Sequence, residues 1–455
     1  MSKELQKIKN IQSMSKLSVG ERINYLNKLK KEIIQNEDNI YSALNNDLNK
    51  PKFEVYTSEI GFLINEIKLF IKHLNEWSKP KKVKSSIINF PSNDFVYSEP
   101  YGKVLIISPW NYPFQLAILP VLSAFSCGNT VVLKPSEHTP ETSRLVNKII
   151  SKIFPSDLVC VIEGDYKVAS KLLKSKWDYI FFTGSVRVGK IVAAEAAKQL
   201  TPHTLELGGK SPCIIDKKIN LKTACKRIVW GKFMNAGQTC VAPDYVLVHK
   251  SIKSDLVKEL SARIELTYGK NLSANTNTTK IVNEENFNRL INLINSNKIL
   301  FGGEYNSDES TIYPTLIDEP KISDEIMQNE IFGPILPIFS FENISEIDKI
   351  ILSNPDPLAL YVFSKDKKFS ENIIRRYRFG GGVVNDTIIH LTNPNLPFGG
   401  IGNSGYGSYH GKSSFDLFTH KKSIVKRKMW LENNLRYAPY KNKLNLVKKV
   451  LKYLS

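Results

Sequence analysis

The sequence predicts an α/β fold: a parallel sheet with helices on both faces, followed by a second α/β unit. Two observations carry this. From residue 103 onward, short apolar runs of strand length alternate with segments of helical periodicity. The chain also has 455 residues, more than one simple core accommodates, so at least two domains are expected.

The elements follow in order. Residues 1–75 read as helices, because Ile23, Leu26, Leu29 and Ile33 recur at helical spacing among lysines and acids. Residues 79–91 are polar, basic and proline-containing, which predicts a linker. Residues 94–97 read as a strand that turns at Glu99-Pro100-Tyr101-Gly102 into an apolar strand over 103–108. Strands are then predicted at 130–133, 158–163 and 179–183, and helices at 141–154, 168–175 and 189–200. A second alternating block begins at Cys213 and runs to about Ile338, with a strand over Tyr245–His249. Such alternation implies parallel strands joined by crossover helices.

Bulk properties exclude several classes. The composition, 42% hydrophobic and 24% charged, is that of a globular protein. The first seven residues are followed by no apolar run, so no secretory signal is expected. The longest apolar stretch, 104–133, is interrupted by Pro109, Asn111, Pro113, Gln115 and Pro120, which disqualifies it as a membrane span. Cysteines at 127, 160, 213, 225 and 240 form no CxxC pair, so neither a disulfide framework nor a metal site is expected, and a reducing cytoplasm fits. The net charge is +19, but residues 421–455 hold eleven Lys/Arg against one acid, Glu432. More than half of the excess therefore sits in a short tail. No nucleic-acid motif accompanies it, and no nucleic-acid partner is expected.

Two glycine motifs need separating. Gly400-Ile401-Gly402-Asn403-Ser404-Gly405 matches GxGxxG in letters, but it follows a proline-rich stretch instead of a strand, and it reads as a loop. Gly184-Ser185-Val186-Arg187-Val188-Gly189-Lys190-Ile191 nearly spells a P-loop, yet Ile191 stands where a magnesium-binding hydroxyl would be needed. What remains is a glycine turn between a strand and a helix N-terminus. That place suits one pyrophosphate, with Gly184, Ser185 and Gly189 as candidate contacts.

Cys240 lies in Asn235-Ala236-Gly237-Gln238-Thr239-Cys240-Val241, where small neighbours admit a substrate carbonyl. Alone it would more often be an inert core thiol. It is accompanied by Asn111 in Pro109-Trp110-Asn111-Tyr112-Pro113, Glu206 in Leu205-Glu206-Leu207-Gly208-Gly209-Lys210, and Glu330 in Glu330-Ile331-Phe332-Gly333-Pro334. Together these motifs resemble the aldehyde dehydrogenase superfamily, class 3 branch (fatty and aromatic aldehydes), over nearly all of residues 1–437.

The resemblance implies a Rossmann-type NAD(P)-binding domain (1–84 and 102–208) and an α/β catalytic domain (209–395). It also implies a small β bridging and oligomerisation element (85–101 and 396–430), ahead of a basic tail (431–455). Cys240 is implied as the nucleophile, Asn111 as an oxyanion donor with the Cys240 amide, and Glu206 as the general base for water. Lys134 and Glu137 are implied on the adenosine ribose, and Glu330 and Phe332 on the nicotinamide ribose, with Trp110 near the cofactor. Asn385 and Phe398 fall in C-terminal motifs of the family. With Tyr112 and Trp230 they are candidates for the pocket of an apolar aldehyde. NAD is the expected cofactor, with NADP as an alternative, and a homodimer is expected. His390, His410 and Tyr245 receive no role. Two other readings stay open: a coenzyme A-acylating enzyme, for which Glu206 would be superfluous, and a non-catalytic basic scaffold. In the tail, Leu444, Val447, Leu451 and Leu454 share one helical face, widened by Leu446 and Tyr453, with lysines mostly around the other. That pattern suits peripheral contact with a membrane interface.

Overall fold

The computed structural model describes residues 11, 13, 16–272, 278–432 and 434–454. The first seven residues, on which the absence of a leader was inferred, lie outside these. Helix α1 (Val19–Gln35) opens at Ser18, whose hydroxyl and backbone form a reciprocal capping box with Glu21. It buries Leu26, Leu29 and Ile33, the stripe seen in the sequence. Helix α2 (Glu37–Leu48) ends at Asn49 in the left-handed region. Helix α3 (Lys52–Val55) then passes through a π-helical turn, Tyr56–Ile60, into α4 (Gly61–Trp77).

The stretch expected to be a linker contains a strand, β1 (Lys81–Val83), paired antiparallel with β2 (Ser92–Pro100). Next come β3 (Lys103–Ile107), α5 (Gln115–Ser126), β4 (Thr130–Lys134), α6 (Pro140–Ile153) and β5 (Val159–Val161). They lead to α7 (Tyr166–Leu173), β6 (Tyr179–Thr183), α8 (Val186–Ala197) and β7 (His203–Glu206). These strands are parallel in the order β5-β4-β3-β6-β7. The chain reverses direction across the sheet after β5, so a crevice opens at the carboxyl ends of β3 and β6, where dinucleotides bind in such sheets. β7 is too short for its periodicity to reveal it.

The second sheet collects β8 (Pro212–Ile215), β9 (Tyr245–His249) and β10 (Ile299–Phe301). Between them lie α9 (Leu221–Phe233), α10 (Lys253–Tyr268) and α11 (Glu284–Asn295). A small hairpin, β11 (Tyr305–Asn306) and β12 (Thr311–Ile312), precedes β13 (Thr315–Asp318), α12 (Glu325–Gln328) and β14 (Ile335–Phe341). Helix α13 (Ile344–Ile351), β15 (Ala359–Phe363), α14 (Lys367–Arg376) and β16 (Gly381–Val384) complete it. Its order is β10-β13-β14-β9-β8-β15-β16, parallel except at β10. This block extends past the expected end near Ile338.

Finally β17 (Gly405–Tyr406) pairs antiparallel with β7 as the sixth strand of the first sheet, setting Gly405 opposite Glu206. After α15 (Gly411–Leu417), β18 (Thr419–Arg427) pairs along β2 for nine residues, which closes a three-stranded sheet β1-β2-β18. The small sheet thus takes in residues 81–83, and part of the 396–430 segment joins the cofactor sheet. The GxGxxG look-alike is a loop with a single 3₁₀ turn, Gly402–Ser404, while the near-P-loop joins β6 to α8. Helix α16 (Leu444–Leu454) lies in the basic tail. Among the described residues, no helix is long and apolar enough to cross a membrane.

Candidate active site

Cys240 follows a run of strained backbone. Asn235, Ala236 and Gly237 all have positive φ, at 54°, 52° and 71°. For the two residues with side chains this costs energy and persists only when surroundings enforce it. A Cβ on Gly237 would stand 2.3 Å from the Gly333 carbonyl oxygen, so this position requires glycine. The run reverses the chain after α9 and brings the thiol to a pocket of about 240 Å³.

The pocket wall contains Cys240, Glu206, Tyr112, Thr239, Trp230 and Phe398. Glu206, at the end of β7, is 3% exposed, and neither carboxylate oxygen has a hydrogen-bond partner among the described residues. Burial alone raises its pKa well above the usual carboxylate range. Burial also pushes the half-buried Cys240 thiol up to about 12, with the Glu330 and Glu206 carboxylates adding to the rise. Asn111 is buried beside the pocket without lining it. Its side-chain NH2 donates to the Gln238 carbonyl at 3.1 Å, tying the Asn111 loop to the Cys240 loop and leaving one N–H for another acceptor. The Tyr112 and Thr239 hydroxyls meet at 2.6 Å, a second tie between the same loops.

Glu330 approaches from the second sheet. A Cβ on Gly208 would stand 1.8 Å from its carboxylate, so the glycine after Leu207 leaves the space that Glu330 occupies. Burial and the neighbouring Asp244 push Glu330 up to about 8, opposed by the Gly209 amide and by Lys210 and Lys232. Its segment is held from below. Lys210 pairs with Asp244 and donates to the carbonyls of Ile326 and Asn329 at 2.8 and 2.9 Å. Asp244 accepts from the Ile331 amide, and Arg289 donates to the Ile331 carbonyl. Phe332, at φ 51°, meets Trp110 edge to face, with ring centroids 5.3 Å apart.

The crevice between β3 and β6 fits a dinucleotide. The buried hydroxyls of Ser108 and Thr183, just beyond β3 and at the end of β6, have no hydrogen-bond partner among the described residues. Lys134, at the end of β4, pairs with Glu137. Ser185 caps α8, and a Cβ on Gly189 would stand 2.6 Å from Leu207, so the helix packs closely on the sheet. Among the described residues, no cluster of three or more His, Cys, Asp or Glu could hold a metal ion.

One candidate does not belong to the pocket. Asn385 spends its side-chain amide on the Ser364 backbone, accepting from the N–H at 2.8 Å and donating to the carbonyl at 3.0 Å. It braces the loop after β16. The pocket also uses residues that the sequence did not single out, among them Phe62, Leu116, Met234 and Leu391. His410 lines it too and stacks on Phe398, centroids 5.0 Å apart. Burial lowers His410 to about 3 and His390 to about 4, so both are neutral aromatic packing groups.

This architecture and site define an NAD(P)-dependent oxidoreductase of aldehydes. The chain belongs to the aldehyde dehydrogenase family, whose model matches residues 5–424. It is 47% identical over 429 residues to 4,4'-diaponeurosporen-aldehyde dehydrogenase of Staphylococcus aureus, covering 94% of each chain. It is 43% identical over 420 residues to the dimeric NADP-preferring aldehyde dehydrogenase of Mus musculus, covering 92% of this chain and 93% of that one. The substrate-bound structure of Staphylococcus aureus AldH superposes with a TM-score of 0.96 at 44% identity, over 99% of this chain and 100% of that one. The Mycobacterium tuberculosis aldehyde dehydrogenase complexed with NAD+ superposes with a TM-score of 0.81 at 26% identity, over 90% and 85%.

Proposed function

We propose that this chain oxidises an apolar aldehyde to its carboxylic acid through a thioester on Cys240. The observation that carries the hydrolytic reading is Glu206: a buried carboxylate with both oxygens unpartnered, facing the same pocket as the thiol. The Cys240 sulfur, once deprotonated, bonds to the carbonyl carbon. The oxyanion receives hydrogen bonds from the free N–H of the Asn111 amide and from the Cys240 backbone amide. NAD, when bound, would supply the hydride acceptor. Loss of the hydride from carbon leaves a thioester. Glu206 takes a proton from water, the hydroxyl adds to the thioester, and collapse releases the acid and the Cys240 thiolate. Glu330, Phe332 and Trp110 would hold the nicotinamide riboside. Lys134 and Glu137 would hold the adenosine ribose, and Gly184, Ser185 and Gly189 the pyrophosphate.

The wall of Phe62, Leu116, Trp230, Met234, Leu391 and Phe398 supports an apolar substrate, aliphatic or aromatic, as does the diaponeurosporen-aldehyde named for the Staphylococcus aureus relative. NADH absorbance with hexanal, with and without coenzyme A, tests the reaction. The expected result is NADH and hexanoic acid without coenzyme A; strict dependence on coenzyme A would establish the acylating alternative.

The finer readings belong with this one. The division into cofactor, catalytic and bridging units is supported by the three larger sheets, with β1 moved to the bridging unit. A homodimer is supported by the exposed β1-β2-β18 sheet and by the mouse relative's name. Light scattering at micromolar concentration tests it, a monomer or stable tetramer being the contrary result. Five free thiols support a cytoplasmic setting. Peripheral membrane contact is supported by α16, where Leu444, Leu446, Val450 and Leu451 are exposed beside Lys448, Lys449 and Lys452. The side chains of Tyr453 and Leu454 lie outside the described residues.

A further inference from the structure

The loops that carry Asn111 and Cys240 come from different halves of the chain, and a third element holds both. Besides the exposed Lys52, the segment from Lys50 through the π-helical turn Tyr56–Ile60 contains three acidic or basic side chains that the reaction does not use: Lys50, Glu54 and Glu59. The side chains of Lys50 and Glu59 are fully buried and pair at 2.6 Å. Lys50 Nζ also donates to the Asn111 carbonyl at 3.4 Å and lies 3.9 Å from the centroid of the Tyr112 ring. The second oxygen of Glu59 accepts from the amides of Phe114 and Gln115, at 2.9 and 3.2 Å, where the Asn111 loop enters α5. Glu54 accepts from the Asn235 amide at 3.0 Å, at the start of the strained run. The Asn235 side chain closes the set, donating to the Asn111 carbonyl at 2.9 Å and to the Gln238 carbonyl at 3.1 Å.

We infer that the Lys50–Glu59 ion pair positions the Asn111 carboxamide for the oxyanion, acting through the backbone of the Asn111 loop. A buried ion pair is a poor way to add stability, because desolvation offsets its attraction and apolar residues would serve as well. Its value here is directional. Both ends of the pair are spent on the Asn111 loop: the ammonium on the Asn111 carbonyl, the carboxylate on the two amides that follow. The carbonyl fixes the peptide plane, the plane fixes where the Asn111 side chain leaves the backbone, and the Gln238 carbonyl then sets the carboxamide. A π turn is a frequent feature of functional sites, and this one brings Glu59 under the loop. Lys50 and Glu59 touch no reacting atom, so they are positioning residues. This inference rests on the proposed role of Asn111.

The test is a double-mutant cycle with hexanal and NAD. Asn111→Ala should lower kcat by about 10²- to 10³-fold, as loss of one oxyanion donor does. Lys50→Met should lower kcat by about 10- to 100-fold, since misplacement of a catalytic group by about 1 Å is this costly. The KM for NAD should stay within about threefold, because the cofactor crevice is untouched. In the Asn111→Ala background Lys50→Met should change kcat by less than about twofold, because its effect passes through Asn111. Where Lys50→Met alone fails to fold, Lys50→Met/Glu59→Gln removes the stranded charge, and Lys50→Met/Glu59→Gln/Asn111→Ala against Asn111→Ala completes the cycle. If Asn111→Ala loses activity while Lys50→Met/Glu59→Gln keeps wild-type kcat, the positioning role is overturned and the role of Asn111 stands. Additive losses also overturn it. If Asn111→Ala itself keeps wild-type kcat, the oxyanion assignment fails first.

Discussion

Gly208→Ala should remove activity while leaving the fold intact. The added methyl carbon would stand 1.8 Å from one Glu330 carboxylate oxygen and 2.6 Å from the other. Ordinary contact begins at about 3.4 Å, so the carboxylate must retreat by about 1.6 Å. Gly208 needs no left-handed backbone, and the group that must yield is the end of a flexible side chain, so the fold absorbs the change by moving Glu330. Displacing a substrate- or cofactor-positioning group by more than about 1 Å costs around 10²-fold. The loss should appear in kcat and in the KM for NAD, measured by NADH absorbance. The melting temperature should stay near that of wild type, because only the end of the Glu330 side chain has to move. Gly208→Ala/Glu330→Asp shortens the acid by one methylene, about the distance lost, and should recover part of the activity. A Gly208→Ala enzyme with wild-type kcat and KM for NAD would show that Glu330 does not hold the cofactor.

Other expectations follow from the same geometry. Glu206→Gln should give a stopped-flow burst of one NADH per site and then turnover slowed by about 10²- to 10⁴-fold, whereas Cys240→Ala gives no burst; equal loss of both phases in Glu206→Gln would remove the base assignment. Burial raises the pKa of Glu206 in the folded state, so its favourable contribution is present in acid and is lost as pH rises through the raised value. Glu206→Gln should therefore melt above wild type in alkaline buffer and match it in acid; a lower melting temperature at alkaline pH would contradict this. NAD should have a higher kcat/KM than NADP, because the Glu137 carboxylate would repel a 2′-phosphate, and Glu137→Gln should narrow the ratio; a wild-type preference for NADP would count against Glu137 at the ribose. The full chain should sediment with anionic vesicles at low salt more than a chain ending at Pro439, and equal retention in the supernatant would exclude the tail as a membrane element.

The parts of this protein that were legible in its sequence are those whose cause is local. Strands β3, β4, β5 and β6 of the first sheet are short apolar runs between glycine and proline signals. The motifs around Cys240 and Glu206 keep their reacting residues within a few positions of the glycines that shape them. What stayed hidden depends on distant pairing. β17 is two residues long and exists because Gly405, at φ 113°, lies so close to β7 that a Cβ would stand 1.9 Å from the Leu205 carbonyl oxygen. The pocket wall draws Phe62, Met234 and Leu391 from three remote segments, which no local pattern brings together. Asn385 sits in a family-like motif, yet its left-handed backbone, at φ 61°, directs its amide to Ser364 instead of the pocket. Lys50 and Glu59 look like surface charges by composition, since such residues are almost never fully buried unless paired. Only the folded chain reveals that they pair beneath the Asn111 loop.

The electrostatics of the site give its groups opposing demands. Glu206 and Glu330 both raise the Cys240 pKa, although the proposed reaction takes one as its base and the other as a cofactor contact. Burial raises the carboxylates in turn, and to that extent it reduces the negative charge facing the sulfur. Low pH therefore suppresses both the nucleophile and the base by protonation. As pH rises both groups ionise, and the rate should climb through the alkaline range. The thiolate that the reaction needs is then favoured by any positive charge brought near the sulfur, which the oxidised nicotinamide ring carries. A thiol silent in the resting pocket and ionised beside the bound cofactor would commit the aldehyde only when a hydride acceptor is in place. The cost is an unpartnered carboxylate and a left-handed run before Cys240, held against the sheets by Lys210, Asp244 and the ion pair under the Asn111 loop.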